Sequence, residues 1–239
     1  MERKIGLLIF WIIIFMSVGQ ASEKDQIYKA YVSGNMGLWK ETIDKMEQNK
    51  SNVNASILEL VNYQYGYIGW AMGVERHKEA RYYLDLAEEN IEKLSSRGFS
   101  PSSLDAYRSA FYGFRIGLNR LQAPLLGPKS VSQAKIAIET DPENPLGYIQ
   151  LGNTEYYMPA VFGGSKSKAL EYFLKAKSLM EKQPTVLKND WNYLSLLTLI
   201  AQVHIDLSEN VKARKLYEDI LRIEPDFLWV KNELYQKIK

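Results

Sequence analysis

The sequence predicts an all-α protein, an α-solenoid of about five stacked antiparallel helix hairpins closed by a C-terminal capping helix. Three observations carry this. Apolar residues recur at steps of three and four, most regularly at Leu104, Tyr107, Phe111, Phe114, Leu118 and Leu121, which is the period of a buried helix stripe. Small residues, notably Ala201 and Ala213, stand where two helix backbones would cross, and a larger side chain there would push the helices apart. Landmarks also repeat at one interval: Gly117 and Gly152 lie 35 residues apart, as do Pro124 and Pro159. Hairpins of this kind cannot bury an apolar face alone, so they stack.

The first residues stand outside that pattern. Arg3 and Lys4 precede an apolar run from Ile5 to Val18, which ends at Gly19-Gln20-Ala21. A basic start, a short apolar segment and small residues before the cut describe a secretory signal peptide. Residues 1–21 are therefore expected to be removed and 22–239 to form the solenoid domain. A span would need ~20 apolar residues, so the expected product is exported, to the periplasm or outside the cell, without a membrane span. Removal takes away Glu2, Arg3 and Lys4 and leaves 28 basic and 27 acidic residues, net +1. That balance offers nothing to attract nucleic acid, which favours a basic face. With no cysteine, disulfides and thiolate metal sites are excluded. Packing must hold the domain together.

In chain order, Ile27, Tyr28, Tyr31 and Val32 predict a short first helix that stops near Gly34, with Trp39, Ile43 and Met46 marking its partner. A polar loop, 49–54, leads to a longer helix marked by Ile57, Val61, Tyr65, Ile68 and Met72. That helix carries Gly66, Gly69 and Gly73. Each costs ~1 kcal/mol against alanine, which suggests close backbone approach by a neighbour. Ala80, Leu84, Ala87 and Ile91 form the answering stripe. The stripe from Leu104 to Leu121 follows, then Ser130, Ala134 and Ala137, with Asp141 to Pro145 as the stop. Tyr148, Leu151 and Gly152 pair with Ala169, Phe173 and Ala176; Leu197, Ile200, Ala201 and His204 pair with Ala213, Tyr217 and Ile220, and Pro225 ends that helix. Phe227, Val230, Leu234 and Ile238 make the cap, polar on its other face.

The last two units, 145–181 and 194–227, resemble the tetratricopeptide repeat, whose ~34-residue pattern is W-x2-L-G-x2-Y…A-x3-F…P. Tyr148, Leu151, Gly152, Ala169 and Phe173 stand at its positions, as do Leu197, Ala201, His204, Ala213, Tyr217 and Pro225. The match departs at Glu155, where an aromatic is usual, and in the extra length between Gly152 and Ala169. The resemblance implies a right-handed superhelix whose first helices line a concave groove that binds proteins or peptides.

Chemistry has little to work with. There are two histidines, His77 in a turn and His204 at a packing position, and no nucleophile elbow, metalloprotease motif, phosphate-cradling loop or dinucleotide fingerprint. The reading is of a non-enzyme without cofactor or metal. Two proline-bearing stretches, 123–130 and 158–165, read as loops of successive repeats that expose Leu125, Leu126, Val161 and Phe162. They either cover the core or form a lip on the groove, since insertions in repeat proteins gather on one face. Tyrosine is in surplus at 16, and its flat ring and single hydroxyl suit recognition. The groove candidates are Tyr112, Arg115, Asn119, Tyr148, Asn153, Tyr156, Tyr157 and Phe162.

The function expected is an exported scaffold with a protein or peptide partner. A second reading rests on Gly163-Gly164, which resembles insertions in the periplasmic repeat proteins of tripartite (TRAP-type) transporters and would imply a small-molecule ligand. Assembly as a homo-oligomer stays open as a third.

Overall fold

The computed structural model describes residues 21–49, 51–99, 101–185 and 187–238. The expected signal peptide thus lies outside the described residues except for Ala21. Five hairpins follow one another: α1 (Glu23–Ser33) with α2 (Met36–Asn49), α3 (Asn54–Gly73) with α4 (His77–Ser96), α5 (Ser102–Leu118) with α6 (Ala123–Thr140), α7 (Pro145–Tyr157) with α8 (Lys166–Glu181), and α9 (Trp191–Asp206) with α10 (Asn210–Ile223). No strand occurs among the described residues. The chain is an all-α solenoid of helical repeats, as the periodicity predicts.

The small residues sit where the spacing put them. Ala80, Ala169, Ala201 and Ala213 are fully buried at helix crossings, and Gly152 lies directly under the Phe173 ring. Helix starts carry their own caps: Ser22, Asn144, Ser165 and Asp190 each accept a backbone N–H of the first turn. Gly34, in the left-handed region at φ 67°, ends α1.

Four expectations need correction. The stripe through Leu121 breaks three residues early, because Asn119 is extended and its side chain accepts the Leu121 N–H. A single 3-10 turn, Arg120–Gln122, follows, and Leu121 is left outside the core. The stretch 123–130 is helical rather than a loop. Pro124 falls in the first turn of α6, where a missing N–H costs nothing, and Pro128 forfeits one bond while the helix continues. The cap is no regular α-helix: Val230–Leu234 is a π turn and Tyr235–Ile238 a 3-10 turn. Close approach explains only Gly66, where a Cβ would lie 2.6 Å from Trp191 and 2.7 Å from Trp39. Gly73 has open space, and Gly69 meets only Phe114 at 3.8 Å.

The solenoid also closes on itself. Tyr31 of α1 packs at 5.9 Å from Trp191, at the start of α9, and at 5.0 Å from Phe227 of the cap. The Tyr28 hydroxyl donates to Glu224 at 2.9 Å, and Asn189 donates to Asp25 at 2.9 Å. First and last hairpins therefore share one apolar cluster. Burial pushes the Tyr31 hydroxyl up to about 12, although bonds with Ser195 and Thr198 pull the other way.

Candidate functional site

First helices lie parallel to one another, as cross-contacts that advance together show. Gly69 faces Phe114 and Met72 faces Gly117, Asn144 donates to Ser102, and Tyr156 lies near Asp206. The N-terminal ends of these helices consequently share one edge of the superhelix, and their C-terminal ends share the other.

The N-terminal half of the groove is filled by the protein's own rings. Trp191 packs on Trp39 at 5.0 Å and Tyr65 at 6.3 Å, directly over Gly66. Tyr65 reaches across from α3 to α7, where its hydroxyl accepts from Gln150 and Asn153, both at 3.4 Å. It also packs against Tyr107 at 5.8 Å and Phe114 at 5.6 Å. Burial holds the Tyr65 hydroxyl above its ordinary range, and those two bonds pull it back.

Further along α3 the backbone of Gly69 and Gly73 is exposed, with only Phe114 near the first and nothing near the second. Tyr157, the last residue of α7, has 70% of its surface exposed and packs edge-on against Tyr156 at 4.8 Å. Its hydroxyl is nevertheless raised, first by burial and then by Tyr65 and Asp206. The 3-10 turn Ala160–Phe162 follows α7. Phe162 and Val161 are 74% and 83% exposed, so this turn does not cover the core.

The eight sequence candidates separate in the structure. Asn153 donates from α7 to Tyr65, while Tyr157 and Phe162 are exposed at and just after the end of that helix. Arg115 turns away to α4, bridging Asp85 at 2.6 Å and Glu88, and those carboxylates hold its charge firmly. Asn119 is used up as a local cap. Tyr148 packs among the α7–α9 residues with Lys175 over its ring at 5.8 Å. Burial and the nearby Asp206 carboxylate push the Tyr156 hydroxyl up, and Lys166 lies 3.4 Å from its ring centroid. Tyr112 is half-buried on α5. The residue that spacing alone missed is Gln150, a buried polar group on α7; a lone glutamine inside an apolar stripe was the available signal.

A polar pocket of about 460 Å³ lies elsewhere, lined by Glu23, Glu47, Glu59, Glu89, Asn90 and Lys93 among others. Gln64 and Asn90 both donate to Glu47 there, so its buried groups satisfy one another. Among the described residues no three potential ligands converge to hold a metal ion, and no helix is long and apolar enough to cross a membrane.

No protein-family model matches the chain, and no curated protein matches it. Among solved structures it is similar to the HusA haemophore from Porphyromonas gingivalis, with 21% identity and a TM-score of 0.59 over 77% of this chain and 92% of that one. It is also similar to a thermophilic tetratricopeptide-repeat (TPR) protein of Thermus thermophilus, with 16% identity and a TM-score of 0.57 over 91% and 98%. At these identities the likeness establishes the helical-repeat fold.

Proposed function

We propose that the protein is a non-catalytic, exported helical-repeat scaffold that takes an apolar segment of a protein or peptide partner into the open half of its groove. The observation that carries this is the exposure of three large apolar side chains at the end of α7 and in the turn after it, Tyr157, Val161 and Phe162. Exposed apolar groups of this size mark interaction sites, and tyrosine adds a directed bond to its contact area. Export rests on the signal-peptide reading of residues 1–21, and the scaffold role on the fold.

A second reading has its own support. The bare helix face at Gly69 and Gly73 would let a flat ring lie close to backbone, and one structural neighbour is a haemophore by name. The ligand would then be a planar apolar small molecule.

Tyr157→Ser tests both. An apolar peptide library and a free-base porphyrin are titrated separately against wild type and variant. Peptide binding that weakens at least ~tenfold in the variant, about 1.4 kcal/mol, supports the first reading. Porphyrin binding that weakens alone selects the second. If neither probe binds, or the variant binds both unchanged, the open half of the groove is not the site.

A further inference from the structure

The edge where first helices hand over to second helices has a composition of its own. At the third hairpin Leu121 is 90% and Leu125 65% exposed; at the fourth, Val161 and Phe162 stand out in the same way. Arg120 lies beside Leu121, Lys129 one turn after Leu125 on the same face of α6, and Lys168 in the first turn of α8. All three are exposed, and among the described residues none of the three pairs with a carboxylate. The sequence holds no acidic residue from 106 to 138 or from 156 to 170. Apolar tips and unpaired cations thus meet at the same two helix junctions.

We propose that this edge seats the protein on an anionic lipid surface. Apolar side chains on separate short turns can enter the boundary between headgroups and acyl chains while the backbone stays outside it. Binding of this kind combines buried apolar area with attraction of basic groups to anionic headgroups. A protein partner's apolar patch would not call for the exposed cations Arg120, Lys129 and Lys168 beside these tips, so charge complementarity favours the lipid. The inference goes beyond the groove reading; the two share Val161 and Phe162, but this one is tested at the third hairpin, whose residues the groove reading does not use.

Sedimentation with vesicles tests it. The full mature chain is mixed with vesicles of equal parts phosphatidylglycerol and phosphatidylcholine, and with vesicles of phosphatidylcholine alone. Expected is binding to the mixed vesicles, weaker by at least ~tenfold on neutral ones and falling as salt screens the attraction. Arg120→Glu with Lys129→Glu should abolish the preference for anionic lipid. Leu121→Ser with Leu125→Ser should abolish binding to both. These four residues are exposed, so melting temperatures should match wild type and separate lost docking from lost fold. Failure of wild type to sediment with the mixed vesicles overturns the proposal and returns the edge to a protein partner. Equal binding to both vesicles, or variants that bind like wild type, also overturns it. Tyr157→Ser should sediment like wild type, which keeps this result distinct from failure of the groove reading.

Discussion

Where second helices hand over to first helices, the turns are tied to their neighbours. Arg97 donates to the Asn52 carbonyl at 3.0 Å and to Asn54 at 3.2 Å, Asn144 to Ser102 and Ser103 at 2.8 and 3.0 Å, and Asn189 to Asp25 at 2.9 Å. Lys182 pairs with Glu143 across the same edge. At the opposite edge the turn of the third hairpin bonds through Asn119 only to itself, and its apolar neighbours face solvent. Both edges are made of short connections, so connection alone does not explain the contrast. One edge holds the hairpins in register with bonds that need particular donors and acceptors. The other is tied between the fourth and fifth hairpins by Lys166 to Asp206 at 3.5 Å, but also carries apolar residues that the fold does not use, and such residues are the ones free to serve a partner.

The largest expected effect breaks what both edges hang from. Ala169 and Ala213 are fully buried where second helices cross first helices. Ala169→Leu and Ala213→Leu should each lower stability by about 1–3 kcal/mol through overpacking, seen as an earlier thermal melt. If both melted with the parent, the hairpins would not cross where the structure puts them.

A smaller effect sharpens the difference between the edges. Asn144 caps α7 and also donates to two serines of the neighbouring hairpin. Its change to alanine should cost about 1–2 kcal/mol, the upper range of a lost cap. Asn119 caps a single 3-10 turn on the apolar edge, and Asn119→Ala should cost only a few tenths of that scale. Chemical denaturation of the two variants compares them directly; equal losses would erase the distinction drawn above.

The helices and their crossings were legible in the sequence because burial imposes a period, and because one small residue per crossing is a steric demand that composition cannot hide. Ala213 and Gly152 could be placed without coordinates. What spacing cannot say is which way a polar or unbranched position turns. Arg115 and Asn153 both sit on first helices, yet one meets carboxylates on α4 and the other a phenol across the groove. Leu121 fits a helical stripe by count, and only the extended conformation of Asn119 takes it out of the core. The closure of first hairpin on last was also out of reach, since it depends on how much each repeat rotates against the next.

The smallest effect is the most discriminating. The turn from Met158 to Gly164 could connect α7 to α8 with fewer residues, since helix–helix connections commonly run ~2–8. Pro159 ends the helix, and Gly163 takes a left-handed φ of 100° that other residues avoid. Gly164 lies so close to the Met158 carbonyl that no side chain fits. Those positions are accounted for by geometry, while Val161 and Phe162 are not, and both stand in solvent. Had they covered the core, Val161→Ser with Phe162→Ser would remove apolar burial worth about 1.5–3 kcal/mol per fully buried side chain. As they cover nothing, the pair should move stability by less than about 0.5 kcal/mol, the usual range for surface changes. A melting curve that coincides with wild type, together with weaker binding of whatever probe the groove accepts, would assign the turn to recognition. A drop of several kcal/mol would mean that the turn folds down in solution, and the apolar edge would lose half of its tips.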